Sequence, residues 1–231
     1  ELFAALPTNE SSPHLLKTRH TASHVMAMAV QRIRKDAQIT IGPWIDDGFY
    51  YDFYLPPPSE EAVAADVAAT ETGNAEDGES VLNAQRGKSK GSKSSRCSSN
   101  TLSDGHLKAI KKEMDRIIKA DLPLVKEEVS RVEALRRIQQ LDNNEPYKLE
   151  ILDAIKTEPI TIYHCGDEWW DLCAGPHLES TGQLNVHAIE LQSVAGAYWR
   201  GDENNQMLQR IYGTAWENNS QLKLYKRRLE E

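Results

Sequence analysis

An α+β fold, with helices packed on an antiparallel sheet, is the class this sequence predicts. Three observations carry it. Apolar residues recur at helical spacing after residue 18 and again after 104, and β-branched and aromatic residues alternate around turn residues at 38–55 and 159–173. The elements then run as a helix, a hairpin, two helices and further strands, an order that suits helices packed on an antiparallel sheet.

Residues 1–17 show little periodicity and read as a lead-in segment. A helix is expected from Thr18 or Arg19, with Thr18 as its cap and Ala22, Met26, Ala29 and Ile33 in one apolar stripe. At about 100° per residue, His20 and His24 fall with Ala27 and Gln31 on a second face, roughly opposite that stripe. The histidines are therefore not core filler by default. "AQITIGPWIDDGFYYDFYL" follows as a hairpin, with "DDG" at its turn, Phe49, Tyr51 and Phe53 on one face, and Tyr50, Asp52 and Tyr54 on the other.

Residues 59–103 change character, from acidic and Ala-rich to basic and Ser-rich, without a hydrophobic pattern. They read as a disordered insert, a tolerated expansion of a surface loop to which no mechanism is assigned. Regular structure is expected again at "DGHLKAIKKEMDRIIKADLP", where Leu107, Ile110, Met114, Ile117 and Ile118 form a helical stripe that stops before Pro123. "PLVKEEVS" suits a strand. Ser130 and Glu133 make an S-x-x-E capping box for a helix through about Gln140. "EPITIYHCGDEWWDLC" reads as a second hairpin and "AIELQSVAGAYW" as one more strand.

Composition bounds the chemistry. The 231 residues suffice for one large or two small domains with a real core, and no apolar run approaches the roughly 18 residues that cross a bilayer. The chain opens on Glu1 without a signal-peptide pattern and reads as a soluble piece of a longer protein. Three cysteines, Cys97, Cys165 and Cys173, are too few and too odd for a disulfide framework, and suit a reducing compartment. A net charge of -8 excludes a general polyanion-binding surface and leaves room only for a local basic patch.

The candidate chemistry lies in two pairs. His20 and His24 stand one turn apart on a helix face, where two imidazoles can converge on one atom. Cys173 and His177 show the same spacing in "DLCAGPH", a Gly-Pro turn. Three imidazoles and a thiol either coordinate tetrahedral zinc or line a polar cleft that activates water, and both readings imply hydrolysis. Strand alternation puts Trp169 and Asp171 on the Cys173 side, with Trp170 and Leu172 opposite. By pattern alone, Lys148 in "EPYKLEIL" reads as a solvated lysine and Tyr51 as a sheet aromatic with its hydroxyl at the surface. Cys97, Cys165 and His164 read as structural or incidental, and His14, His106 and His187 as surface residues.

Longer runs carry a resemblance. "HTASHVMAMAV", "TIGPWIDDGFYYDF", "EPYKLEIL", "DLCAGPH" and "SVAGAYWRGDENNQMLQRIYGTAW" together resemble the editing domain of threonyl-tRNA synthetases, in the version similar to cyanobacterial and plastid enzymes. The similarity spans about 15–58 and 104–231, and the insert departs from it. It implies a threonyl/alanyl-type editing fold over 18–216, and a linker helix beginning at 217–231 that leads to a class II catalytic core absent from this chain. It implies hydrolysis of seryl-tRNA(Thr), with tRNA(Thr) as partner and no membrane. One missing methyl group discriminates serine from threonine by only about 1–3 kcal/mol, so a second, hydrolytic site is needed.

The family's cleft residues correspond here to His20, His24, Tyr51, Lys148, Asp171, Cys173 and His177. His20 and Lys148 would position and activate water, while His24, Cys173 and His177 would hold the terminal adenosine and ester. Asp171 would bind the seryl ammonium or hydroxyl, and Tyr51 would line the pocket. The resemblance implies editing without a cofactor; zinc at His20, His24, Cys173 and His177 is the alanyl-type alternative. The parent enzyme would be an ATP-using threonine-tRNA ligase, with ATP and zinc in its core and a homodimer formed through it, in a plastid, another organelle or the cytoplasm. Two rivals remain: a non-catalytic tRNA-docking appendage and a zinc-dependent deacylase of the alanyl type. Lys223, Lys226, Arg227 and Arg228 read as a solvated linker-helix face rather than an RNA contact.

Overall fold

The computed structural model describes residues 6–57, 101–141 and 145–231, so all but the last three residues of the expected insert lie outside the described residues. In chain order the elements are α1 (Pro13–Ile33), β1 (Gln38–Ile39), β2 (Trp44–Ile45), β3 (Gly48–Tyr54), α2 (Asp104–Lys119), β4 (Leu124–Val129), α3 (Arg131–Gln139), α4 (Pro146–Ala154), β5 (Ile160–Cys165), β6 (Trp169–Leu172), β7 (Ile189–Tyr198), β8 (Met207–Ala215) and α5 (Asn219–Glu230). The α+β class holds. The strands divide, however, into two antiparallel sheets rather than one.

Helix α1 starts at Pro13, five residues before the expected start, inside what the sequence suggested was a lead-in. Ser12 is extended and its hydroxyl accepts the Leu15 amide at 3.1 Å, while Pro13 at the first helical position has no amide hydrogen to leave unsatisfied. From Thr18 to Val30 every residue is buried, because α2 flanks the helix on one side and β2, β3 and β8 on another. The expected two-faced helix is thus apolar on one side and carries the histidines on the other, with both sides enclosed. Ile33, at the end of the expected stripe, is 42% exposed.

The larger sheet runs β1-β3-β8-β7, with β2 also paired to β3. Phe49, Tyr51 and Phe53 turn inward onto α1 with no exposed surface, as the alternation predicted. On the opposite face Asp52 lies across from Arg210 of β8 and takes two bonds from its guanidinium, at 2.7 and 2.8 Å. The smaller sheet, β4-β5-β6, packs against α3 and α4 around Val129, Ala134, Ile138, Leu152, Ile160 and Ile162.

The five apolar residues expected on α2 are all buried. At α3 half of the capping box forms: Ser130 Oγ accepts the Glu133 amide at 3.2 Å, but the Glu133 carboxylate is held by Arg136 and Arg137. The sequence reading assigned no element to α4 or β8. At the C-terminus α5 is docked rather than solvated all round, with Leu222 and Tyr225 buried against Trp216, Leu15 and Ala188. Its Lys223, Lys226, Arg227 and Arg228 do face outward, and Lys226 meets Glu190 at 2.8 Å.

Candidate active site

The two spaced pairs meet. Helix α1 carries His20 and His24 toward the turn that follows β6, and one ligand atom from each of His20, His24, Cys173 and His177 lies within 4.8 Å of the others. The Cys173 sulfur is 3.3 Å from Nε2 of His20 and 3.3 Å from Nε2 of His177. The His20 and His177 rings stack at 4.0 Å, and His24 tilts against His177 at 4.2 Å. The turn fits only because Gly175 adopts φ +76°, where a Cβ would also stand 2.5 Å from the Tyr163 hydroxyl.

Hydrogen-bond accounting fixes the protons. Burial pushes His20 down to about 4 and the Cys173 thiol up to about 12, and it drives His24 and His177 far below the ordinary histidine range. All four groups are therefore neutral at neutral pH. His20 Nδ1 faces the Pro176 carbonyl at 3.0 Å, which only accepts, so Nδ1 carries the proton and Nε2 accepts from the thiol. One S–H serves one acceptor. His177 must then bring its own proton to the sulfur on Nε2, leaving Nδ1 to accept from the Thr21 hydroxyl at 3.2 Å. Thr21 Oγ1 in turn accepts the Leu178 amide at 3.0 Å, and the Gly175 amide donates to the sulfur at 3.2 Å. His24 Nδ1 is fully buried and has no partner among the described residues.

Beside this quartet sits a buried ion pair. Lys148, a solvated lysine by pattern alone but a cleft residue by the resemblance, and Asp171, expected on the Cys173 side, have side chains only 2% and 6% exposed and bond to each other. Asp171 also accepts the Tyr51 hydroxyl at 2.5 Å and the Leu172 amide at 2.9 Å. The Tyr51 hydroxyl is thus not at the surface, and burial beside the carboxylate drives its pKa well above the ordinary range. Both surface expectations fail for one reason: α4 and β3 are brought against β6, and each polar group finds its partner across that junction.

Several supporting residues escaped the sequence reading. Glu145, 2% exposed at the start of α4, accepts from Gln31 Nε2 and the Ile39 amide, both at 3.1 Å, and Gln31 accepts Trp169 Nε1 at 2.8 Å. This chain fixes α4, and so Lys148, to α1 and β1. Arg19, fully buried, lies over the Trp216 ring at 4.7 Å and donates to the Ala215 carbonyl at 3.2 Å, which sets the roll of α1. Burial lowers its pKa to about 10. The Ser23 hydroxyl, with one hydrogen to donate, lies 2.8 and 2.7 Å from the His20 and Gly42 carbonyls and bridges them. Ser23, like Thr21, carried a local signal, as a hydroxyl between the two histidines. The residues left as incidental are structural: His164 pairs with Glu127 at 2.6 Å, His106 accepts the Ser103 amide at 2.8 Å, and Cys165 is buried. Cys97 lies outside the described residues.

The quartet also suits a metal. Zinc with Zn–S of about 2.3 Å and Zn–N of about 2.0 Å has S···N edges of about 3.5 Å, close to the two 3.3 Å separations. The Pro176 carbonyl and Thr21 hydroxyl would then orient His20 and His177 as outer partners.

Residues 160–212 match the family described as Threonyl and Alanyl tRNA synthetase second additional domain. Over 220 residues, 95% of this chain, the sequence is 56% identical to "Threonine--tRNA ligase, chloroplastic/mitochondrial 2" of Arabidopsis thaliana, of which it covers 27%. It is 52% identical over 227 residues, 98% of the chain, to a threonine--tRNA ligase of Synechocystis sp., covering 30% of that protein. A Thermosynechococcus vestitus threonine--tRNA ligase is 50% identical over 226 residues, 98% of the chain and 30% of its own length. The chain spans under a third of the length of these relatives.

Proposed function

Over nearly all of its length this chain is homologous to one segment of the threonine–tRNA ligases of cyanobacterial and plastid type; from that premise, we propose that it hydrolyses serine from mischarged tRNA(Thr). The observation that carries the reading is the convergence of three neutral imidazoles and a thiol beside a buried Lys148–Asp171–Tyr51 cluster. The parent protein is then an ATP-using threonine-tRNA ligase with tRNA(Thr) as partner and a class II core through which it dimerises. An organelle or a cyanobacterium-like cytoplasm is its compartment. No helix among the described residues is long and apolar enough to cross a membrane.

The residues divide the work by what each has left to offer. A neutral imidazole with a pKa near 4 is a weak base at neutral pH, so His20 orients the attacking water, through Nε2 once the thiol releases it, more than it removes a proton outright. Lys148, bonded to Asp171 and near His24 and Cys173, is the cation of the site and would support charge that develops on the ester oxygen. A carboxylate has about four acceptor positions, and those of Asp171 already receive Lys148, Tyr51 and the Leu172 amide. Asp171 therefore meets the seryl ammonium or hydroxyl with what remains and chiefly holds Lys148 and Tyr51 in place. His24, Cys173 and His177 form the wall against the adenosine and ester. The exposed mouth lies between Trp44, which stands 4.8 Å from the His20 ring, and the turn at Ala174 and Pro176.

The test is deacylation by this chain of seryl-tRNA(Thr) against threonyl-tRNA(Thr). Release of serine with threonine spared supports the reading; no release of serine refutes it and favours a docking appendage. The unpartnered His24 Nδ1 and the ligand-like spacing favour one second reading, a zinc ion held by His20, His24, Cys173 and His177 that polarises the water or the ester. Stoichiometric zinc in the purified protein, lost together with activity on chelation, would establish that alternative.

A further inference from the structure

The run "AGAYWRGD" contributes nothing to the cleft. Its centre lies where β7 ends, and Arg200 there holds φ +56°, a left-handed conformation unfavourable for a residue with a side chain. Together with Ile41, Tyr50 and Arg210, the residues Tyr198, Trp199 and Arg200 line an open groove of about 550 Å³. Aliphatic Ile41, Ile151 and Ile155 form part of its wall and flat groups another part. The Arg210 guanidinium covers the Tyr50 ring at 3.9 Å, and Arg200 lies 5.5 Å from the centre of the Trp199 ring.

Its charge is nearly balanced. Asp52 takes both bonds from Arg210, and Glu150 accepts Trp199 Nε1 at 2.9 Å and lies 3.5 Å from Arg200. That does not suit a bare phosphate, and charged pairs set beside aromatic rings in a largely apolar wall suit a flat amphipathic group better than an alkyl chain. Planar π surfaces with donors and acceptors at their rims suit a nucleobase.

The groove and the cleft share a wall. Residues 40–43 run along β3, with the Asp52 amide donating to Ile41 at 3.2 Å and the Tyr50 amide to Pro43 at 3.3 Å. Ile41 therefore faces the groove, while Gly42 lies so close to the Tyr51 ring that a Cβ would come within 2.0 Å of it. Trp44, next along, stands against His20. A strand ending in the cleft passes this wall as it leaves. We propose that the groove stacks a base of single-stranded RNA, from the nucleotides that immediately precede the esterified terminal adenosine. This rests on the deacylase reading for its substrate, and it explains how a chain of net charge -8 meets RNA locally, through stacking rather than a basic field.

The probe is a fluorescently labelled single-stranded RNA ending in CCA, titrated by anisotropy into the chain and into Tyr198→Ala and Arg200→Gly. Both side chains are largely exposed, and glycine suits the left-handed backbone, so both variants fold, as melting curves will check. Each variant is expected to bind about tenfold more weakly, the scale of one lost stacking contact; affinities equal to the native chain's overturn the proposal. With seryl-tRNA(Thr), kcat/KM falls further in the variants than it does with seryl-adenosine, which has no preceding nucleotide. Equal falls with both substrates also overturn it. A native chain inactive on both would end the deacylase reading and leave the RNA titration to decide the groove.

Discussion

Lys148→Met isolates the energetics of the buried pair. The substitution keeps an unbranched stem of similar volume beside Trp170, whose ring lies 5.5 Å from the ammonium, and removes only the charge and its donors. The Asp171 carboxylate, 6% exposed, then keeps the Tyr51 hydroxyl and the Leu172 amide but has no cation. Breaking a buried ion pair from one side costs about 3–5 kcal/mol, because the stranded charge remains desolvated. For a domain of this size that lowers Tm by about 10 °C. Adding Asp171→Asn removes the stranded charge while leaving an amide oxygen for Tyr51, so the double variant should be about 2 kcal/mol more stable than Lys148→Met alone. Urea unfolding of the four proteins, with unchanged m values, measures the cycle. A cost below about 1 kcal/mol for Lys148→Met, or a double variant that loses the sum of the two single losses, would refute the reasoning.

Three further outcomes follow from the cleft. Cys173→Ser should retain part of the deacylase activity, since the group acts as a wall and hydrogen-bond partner; an acyl group trapped on Cys173 during turnover would make it a nucleophile, and complete loss together with bound zinc would make it a ligand. The depressed histidines tie stability to pH: the unfolded chain binds their protons below about 6.5 while the folded cleft refuses them, so stability is full above that pH and falls on acidification toward 4. Replacing His20 by Gln should flatten the slope near pH 5.5 by about 1.4 kcal/mol per pH unit, and an unchanged slope in denaturant melts would show that His20 titrates normally. In Thr21→Val the His177 ring loses the donor to Nδ1, so its ¹⁵N shifts should depart from those of the Nε2–H form that the hydrogen bonds assign to the native protein, and Thr21→Ser should restore them. A native Nδ1–H signal would instead point to metal at Nε2.

The local code carried much of this molecule. The α2 stripe, the alternation of β3 and both hairpins are periodic patterns, and a period specifies which face of an element is apolar without reference to the rest of the chain. The four-residue spacings of His20 with His24 and of Cys173 with His177 likewise named the reactive quartet. Where the reading failed, the answer lay far away in sequence. Pro146–Ala154 has neither a strong stripe nor a side-chain cap hydrogen bond at its start, and its helix is fixed by Glu145 reaching Gln31 and Ile39. Lys148 and Tyr51 each looked like surface residues, because a charge or a hydroxyl is costly to bury alone. By itself, then, the sequence determined both hairpins, most of the helices and which side chains can do chemistry. Only the tertiary structure decided that three separate elements deliver Lys148, Asp171 and Tyr51 to one dry junction, where each satisfies the others, and that cost of burial is what no local pattern can record.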